Sequence, residues 1–344
     1  MYTFIINPKT NRKVSIFSRL GKNIVNKYIN KNNVFNLQKG GNKFIKKDNE
    51  LIKTLKDFNI VYINLDSRPE RADSIEKQLR NNGLSATRIS AINGKKLRDK
   101  SYRQKIAREL DIANSENLSP KFWMNRSNFK TMIKKEDPIL GRVGCFLSHM
   151  KVMKTALEKG WDNVLVLEDD VMILPGSSET RITIPDTDNV DIHYFGGMFW
   201  HSGKNDFKTT EVQPKDPKSE WIKIDPKYLK LIGTFAYSVN NPQKMRDIYN
   251  FCKSVFIGGK GHDKHDEWRS GNIKMRAQAM DFLYINHFQK NGQCMVHNPV
   301  LFSHFENMGS DISPHYGTSS GKWKHSFFYH PDQEKKMLKM LNKN

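Results

Sequence analysis

Apolar positions along the chain fall into short blocks, and their spacing alternates between strand-like and helix-like. Ile60-Val61-Tyr62-Ile63-Asn64-Leu65 is a β-branched, aromatic run that predicts a buried strand. Asp66 or Ser67 is placed to cap a following helix, and Pro69 falls in its first turn, where a missing N–H costs nothing. Ile75 and Leu79 share one stripe of that helix, and Gly83 stops it. Ala86-Thr87-Arg88-Ile89-Ser90-Ala91-Ile92 predicts a second strand, ended by Asn93-Gly94, so the opening unit is strand–helix–strand, as in a parallel sheet. Phe146, Leu147, Met150, Met153 and Leu157 are spaced for one buried face of a helix from Gly141 to Lys159, closed by Gly160. Asn163-Val164-Leu165-Val166-Leu167 is nearly continuous apolar, the pattern of a central strand covered on both faces. It runs directly into Glu168-Asp169-Asp170.

Further on, Val190 to Gly196, Ile232 to Val239 and Met295 to Phe302 read as strands, and Pro242 to Val255 and Met280 to Lys290 as helices. Residues 95–138 are highly charged and read as an insertion over the sheet, with a helix from Ser101 to Leu110. The expected organisation is a Lys- and Asn-rich basic extension over 1–55, an α/β catalytic domain over 56–320, and a basic amphipathic tail over 321–344. No internal repeat is visible.

Charge changes this picture in one respect. The chain of 344 residues carries a net +21, which suggests partners bearing phosphate or other anionic groups. Residues 1–53 hold twelve Lys/Arg against two Asp/Glu, so about half of the excess belongs to the extension and the enzyme-like remainder is only mildly basic. A nucleic-acid domain would concentrate charge beside exposed aromatics or a reading helix, so nucleic acid is not the expected partner. Cys145, Cys252 and Cys294 are odd in number and far apart, with no CxxC, which argues against a disulfide framework or a structural zinc site and for a reducing, cytoplasmic setting. No run approaches the ~20 apolar residues of a membrane span.

The chemistry concentrates at three places. Three adjacent carboxylates, Glu168, Asp169 and Asp170, repel one another, and a hard divalent ion (Mn²⁺ or Mg²⁺) removes that conflict at a strand end where α/β sheets bind ligands. Asp66 can accept from a ribose hydroxyl or base, and Arg68 and Arg71, at the start of a helix, can hold phosphate. In Gly141-Arg142-Val143-Gly144-Cys145-Phe146-Leu147-Ser148-His149 the glycines permit close backbone approach, and Ser148 and His149 can face the site, while Cys145 reads as core.

Taken in order, Val61 to Arg71, Ser90 to Gly94, Gly144 to His149 and Val166 to Val171 resemble glycosyltransferase family 25, which includes lipooligosaccharide and procollagen galactosyltransferases. Gly233-Thr234-Phe235-Ala236-Tyr237 and Ser310-Asp311-Ile312 resemble later blocks of that family. The resemblance covers roughly residues 58–315. It implies a GT-A-like, Rossmann-type central sheet, a UDP-sugar donor (usually UDP-galactose), a divalent cation, and inversion at the anomeric carbon. It implies Asp170 as metal ligand helped by Asp169, Glu168 near ribose or metal, and Asp66 near the nucleotide. Asp281, at a helix start, is the candidate base, with Asp311 and Glu267 behind it and His304 a candidate for a late metal or phosphate contact, in competition with His297 and His287. The expected acceptor is a glycan or protein hydroxyl, with collagen-like hydroxylysine, another glycan and a viral fibre protein all compatible. Asn7-Pro8-Lys9-Thr10-Asn11-Arg12 is similar to a short module of large DNA viruses, which implies a viral origin, in host cytoplasm or virion. A nucleic-acid-binding protein or a metal-dependent phosphoryl-transfer enzyme is the alternative class.

Overall fold

The computed structural model describes residues 4–6, 13–15, 51–126, 137–185, 187–201, 220–224, 229–256, 280–290 and 294–304. The viral-like module (beyond its flanking strands), Glu267, the block with Asp311 and the C-terminal tail lie outside the described residues. The chain divides into two compact units, Met1–Asn49 and Glu50–Asn344. In the first, β1 (Phe4–Ile6) pairs antiparallel with β2 (Lys13–Ser15). The second unit starts earlier than the composition shift suggested, because β3 (Leu51–Lys53) pairs with a strand deep in that unit.

Within the second unit the opening strand–helix–strand forms as expected. β4 (Ile60–Asn64), α1 (Pro69–Asn81) and β5 (Ala86–Ser90) follow one another, and β4 and β5 are parallel. The cap differs: Arg68 occupies the N-cap without a side-chain capping bond, and Asp66 is held instead by Arg88 and Ser90. α2 (Lys100–Glu109) and α3 (Pro120–Arg126) fill the charged insertion, and α4 (Asp137–Glu158) leads to β6 (Val164–Glu168) and β7 (Val171–Ile173). β8 (Ile182–Ile184), which pairs with β3, is followed by β9 (Ile192–Tyr194), β10 (Met198–His201), β11 (Trp221–Lys223), β12 (Leu229–Ile232) and β13 (Ala236–Val239). Then come α5 (Pro242–Ser254), α6 (Met280–Tyr284) with a π-turn to Gln289, β14 (Cys294–His297) and β15 (Phe302–His304).

Two predicted strands are each divided. Gly233, at φ +99°, separates β12 from β13, and Asn298-Pro299 lies between β14 and β15. A left-handed glycine and a proline without an N–H both interrupt a ladder. Short strands with no alternation long enough to read, such as β7 and β8, were not predicted.

The seven-stranded sheet has the order β11-β14-β9-β13-β6-β4-β5. β5, β4 and β6 are parallel, β13 runs against β6 and β9, β14 is parallel to β9, and β11 is antiparallel to β14. The sheet is therefore mixed. From β4 the chain moves outward to β5, then crosses back over β4 to β6. This reversal puts a switch point between β4 and β6, the place where open α/β sheets bind ligands at strand carboxyl ends.

Each face carries its own core. Val164 and Val166 of β6 join Val61 and Ile63 of β4 in the core that includes Val143, Phe146, Met150 and Met153 of α4. Leu165 and Leu167 join Ile60 and Tyr62 in the core that includes Ile75 and Leu79 of α1. Strand alternation thus assigns even-numbered positions of β6 to the α4 face and odd-numbered ones to the α1 face.

Candidate functional site

The acidic triplet straddles the carboxyl end of β6, with Glu168 as the last strand residue and Asp169 and Asp170 in the turn before β7. Glu168 closes β6 on the α4 face, where its Oε1 accepts from the Thr234 hydroxyl at 2.8 Å and lies 3.3 Å from His149 Nε2. Thr234 is within reach because β13 runs antiparallel, Ala236 opposite Leu167, so its amino end meets the carboxyl end of β6. Asp169 turns to the α1 face. Its Oδ1 accepts from Arg71 Nη1 at 2.8 Å and its Oδ2 from Asn64 Nδ2 at 2.8 Å. Asp170 is buried too, its Oδ2 3.7 Å from the same Arg71 nitrogen.

Burial raises the pKa of Asp169 above the ordinary carboxylate range, while the hydrogen bonds from Asn64 and Arg71 and the Arg71 charge pull it back. Arg71 is only 5% exposed, so its guanidinium serves these carboxylates rather than standing open as a phosphate cradle. Arg68 lies at the rim and pairs with Glu70. Asp66 is mostly exposed just past β4, and hydrogen bonds from Ser90, then Arg88, hold its carboxyl below the usual range. It is a fixed, ionised acceptor at the switch point.

α4 supplies the opposite wall. Its glycines act at a contact two turns inside the helix rather than at its start. A side chain on Gly144 would meet the Ile92 carbonyl oxygen at 2.5 Å and the Gly94 nitrogen at 2.6 Å. The loop after β5 therefore lies directly on the α4 backbone. Ser148 locks this contact: its buried hydroxyl accepts from Ile92 N at 2.8 Å and donates to the Gly144 carbonyl at 2.7 Å. Its neighbour His149 reaches the site, with Nδ1 2.9 Å from the Tyr237 hydroxyl, which is 3.1 Å from the Tyr284 hydroxyl. All three rings are buried.

Cys145 departs from the core role read for it. It keeps part of its exposure and sits with His149 and Glu168. Burial pushes its thiol well above the ordinary value, and the charges of Glu168, Asp281, Asp170 and Asp169 push it further. Asp281, half-buried in the first turn of α6, therefore belongs to the same acidic neighbourhood as the triplet. β15 pairs with β7 so that His304 stands opposite Val171, the residue after Asp170. His297 is elsewhere, bonded to the Pro299 carbonyl and near Glu220, and His287 stacks on Phe251.

A profile of glycosyltransferase family 25 (LPS biosynthesis protein) matches residues 58–237, more than half of the chain. The chain belongs to glycosyltransferase family 25. The match takes in β4, α1, α4, β6 and the start of β13, the elements that build the site. Relatives described as glycosyltransferase 25 family members are 27% identical over 141 residues in Drosophila melanogaster and 28% over 117 residues in Aedes aegypti. These stretches cover 40% and 34% of this chain, and it spans only 20% and 17% of the length of those relatives. Among solved structures, a glycosyltransferase involved in the glycosylation of the major capsid of PBCV-1 aligns at 12% identity and TM-score 0.34, over 75% of this chain and 98% of that one.

Sequence reasoning missed Asn64, Thr234, Tyr237 and Tyr284. Asn64 closes β4, where it donates to Asp169 and accepts from Arg88. Thr234 had a signal in the preceding Gly233, whose positive φ turns the chain toward Glu168. Tyr237 had only its place in the Gly233–Tyr237 block and Tyr284 had no signal, because aromatics in strands and helices ordinarily report only burial.

Among the described residues no helix is long and apolar enough to cross a membrane.

Proposed function

We propose that this family 25 chain is an inverting, metal-dependent glycosyltransferase that moves a hexose, galactose from UDP-galactose, onto a hydroxyl of a glycan or protein. The observation that carries this reading is the placement of Glu168, Asp170 and Asp66 at the carboxyl ends of two adjacent parallel strands, on either side of the switch point.

The residues fit a hard divalent ion of the Mn²⁺ or Mg²⁺ kind. Four carboxylates act on one small region, and Arg71 is directed to Asp169 and Asp170. The remaining negative charge calls for a cation with oxygen ligands. Asp170 and Glu168 would hold it, and Asp169 would support them through Arg71. Bound there, the ion supplies neutralisation of charge on the departing UDP. Asp66, fixed by Ser90 and Arg88, accepts from the nucleoside, and Arg68 faces the diphosphate from the rim. Asp281 takes the proton of the acceptor hydroxyl as that oxygen attacks the anomeric carbon from the side opposite UDP.

The test is UDP release from UDP-galactose, UDP-glucose and UDP-N-acetylglucosamine with Mn²⁺, in the full chain and in Asp170→Ala, alongside calorimetry of UDP binding. Release from UDP-galactose, abolished by chelator and lowered roughly 10³-fold in the variant, is expected. Neither release nor Mn²⁺-dependent UDP binding in the unaltered chain would overturn the proposal.

A further inference from the structure

We infer that Cys145, His149 and Glu168 form a binding site for a soft divalent ion of the zinc class. One ligand atom from each side chain (thiol sulfur, ring nitrogen, carboxylate oxygen) lies within 4.8 Å of the other two. Cys145 and His149 are four residues apart on α4, so they share a helix face, and Glu168 closes the set from the end of β6.

The surroundings are those of a ligating histidine. His149 Nδ1 lies 2.9 Å from the Tyr237 hydroxyl and Nε2 lies 3.3 Å from Glu168. When an ion binds, the ring proton sits on Nδ1 and is donated to Tyr237, and the Nε2 lone pair goes to the ion in place of its hydrogen bond with Glu168. A metal-bound histidine is oriented in this way by a hydrogen bond from its other ring nitrogen. Tyr237 is held in turn by Tyr284, and Thr234 does the same for Glu168 from 2.8 Å. The set opens to solvent at Glu168, whose side chain is 28% exposed, while the Cys145 thiol is enclosed. An ion can therefore enter at Glu168, and three protein ligands leave a fourth tetrahedral position to water.

Ligand softness decides which ion. Thiolate and imidazole favour zinc over manganese or magnesium, which prefer all-oxygen sites. Binding exchanges the thiol proton for a sulfur–metal bond, and the proton leaves to solvent. Glu168 also belongs to the proposed transferase site, so a soft ion would withdraw it from the sugar-transfer reaction and inhibit. That consequence rests on the proposed function; the binding itself does not.

The probe is Co²⁺, titrated into the full chain without nucleotide. A thiolate-to-cobalt charge-transfer absorption is expected, bleached by added Zn²⁺ and absent in Cys145→Ser, which keeps Cys252 and Cys294. No such band in the unaltered chain, or the same band in Cys145→Ser, would overturn the inference. X-ray absorption of the zinc-loaded, unaltered chain keeps the question decidable if the variant does not fold. A sulfur in the first coordination sphere supports the site, and an all-nitrogen-and-oxygen sphere refutes it. Both readouts are spectroscopic and need no sugar donor, so their failure is distinguishable from failure of the transferase reading.

Discussion

The α1 side and the α4 side of β6 receive neighbouring carboxylates from one strand end and treat them in opposite ways. On the α1 side Asp169 is enclosed, with Arg71 and Asn64 each 2.8 Å from one of its oxygens. On the α4 side Glu168 keeps solvent exposure and is bonded through Oε1. A charge that is buried and paired at both oxygens stabilises the position of its loop. One that is steadied on one oxygen while facing solvent can still bind. Three consecutive acidic residues need not act as one ligand set, because β6 ends at Glu168 and the turn that follows carries Asp169 and Asp170 toward Arg71.

The largest effect that would sharpen this contrast is expected from Arg71→Ala. It leaves Asp169 buried without its cation and should cost about 3 kcal/mol of stability in denaturant unfolding. A change below about 0.5 kcal/mol, the range of ordinary surface substitutions, would show that the α1 side is not a structural pair. Gly144→Ala comes next. Its methyl has no room against the Ile92 carbonyl and Gly94, and a loss of about 2 kcal/mol is expected, with the loop after β5 displaced. Unchanged stability there would mean that the helix–loop contact is loose enough to admit a methyl.

Thr234→Val tests the α4 side. It removes one hydrogen bond to Glu168, so Mn²⁺-dependent UDP binding should weaken about tenfold while unfolding moves little. The reverse outcome, lost stability with intact binding, would make Glu168 the structural member instead. The smallest effect is the pH response of Asp169. Its pKa is raised in the folded state, mainly by burial, so its contribution to stability is complete below the ordinary carboxylate value of 3.8 and is lost as pH rises through the folded value. Asp169→Asn should remove that decline, which parallel unfolding curves from acid to neutral pH would reveal; an unchanged slope would locate the titration elsewhere.

Much of the site's outline is legible in the amino-acid order. The Val164–Leu167 run announces a strand buried on both faces, and the acidic residues at its end mark where chemistry belongs. The stripe of Ile75 and Leu79 announces a helix against the sheet. Long helices and parallel central strands write their period into sequence because burial repeats along them. The short strands and the breaks after Ile232 and His297 are not legible in this way. Runs of three or four residues hold too few repeats to show a period, and their pairing depends on partners far along the chain.

The sequence by itself determined the strand–helix–strand opening, the acidic strand end, and the glycine and histidine block that accompanies it. Local periodicity and residue chemistry suffice for those. Only the tertiary structure decided that Arg71 serves Asp169, that Thr234 and His149 hold Glu168, and that Cys145 stands beside them. These contacts join segments far apart in the chain, brought together by β4 and β13 pairing with β6 and by α4 packing on the sheet, so they exist only once those segments have come together.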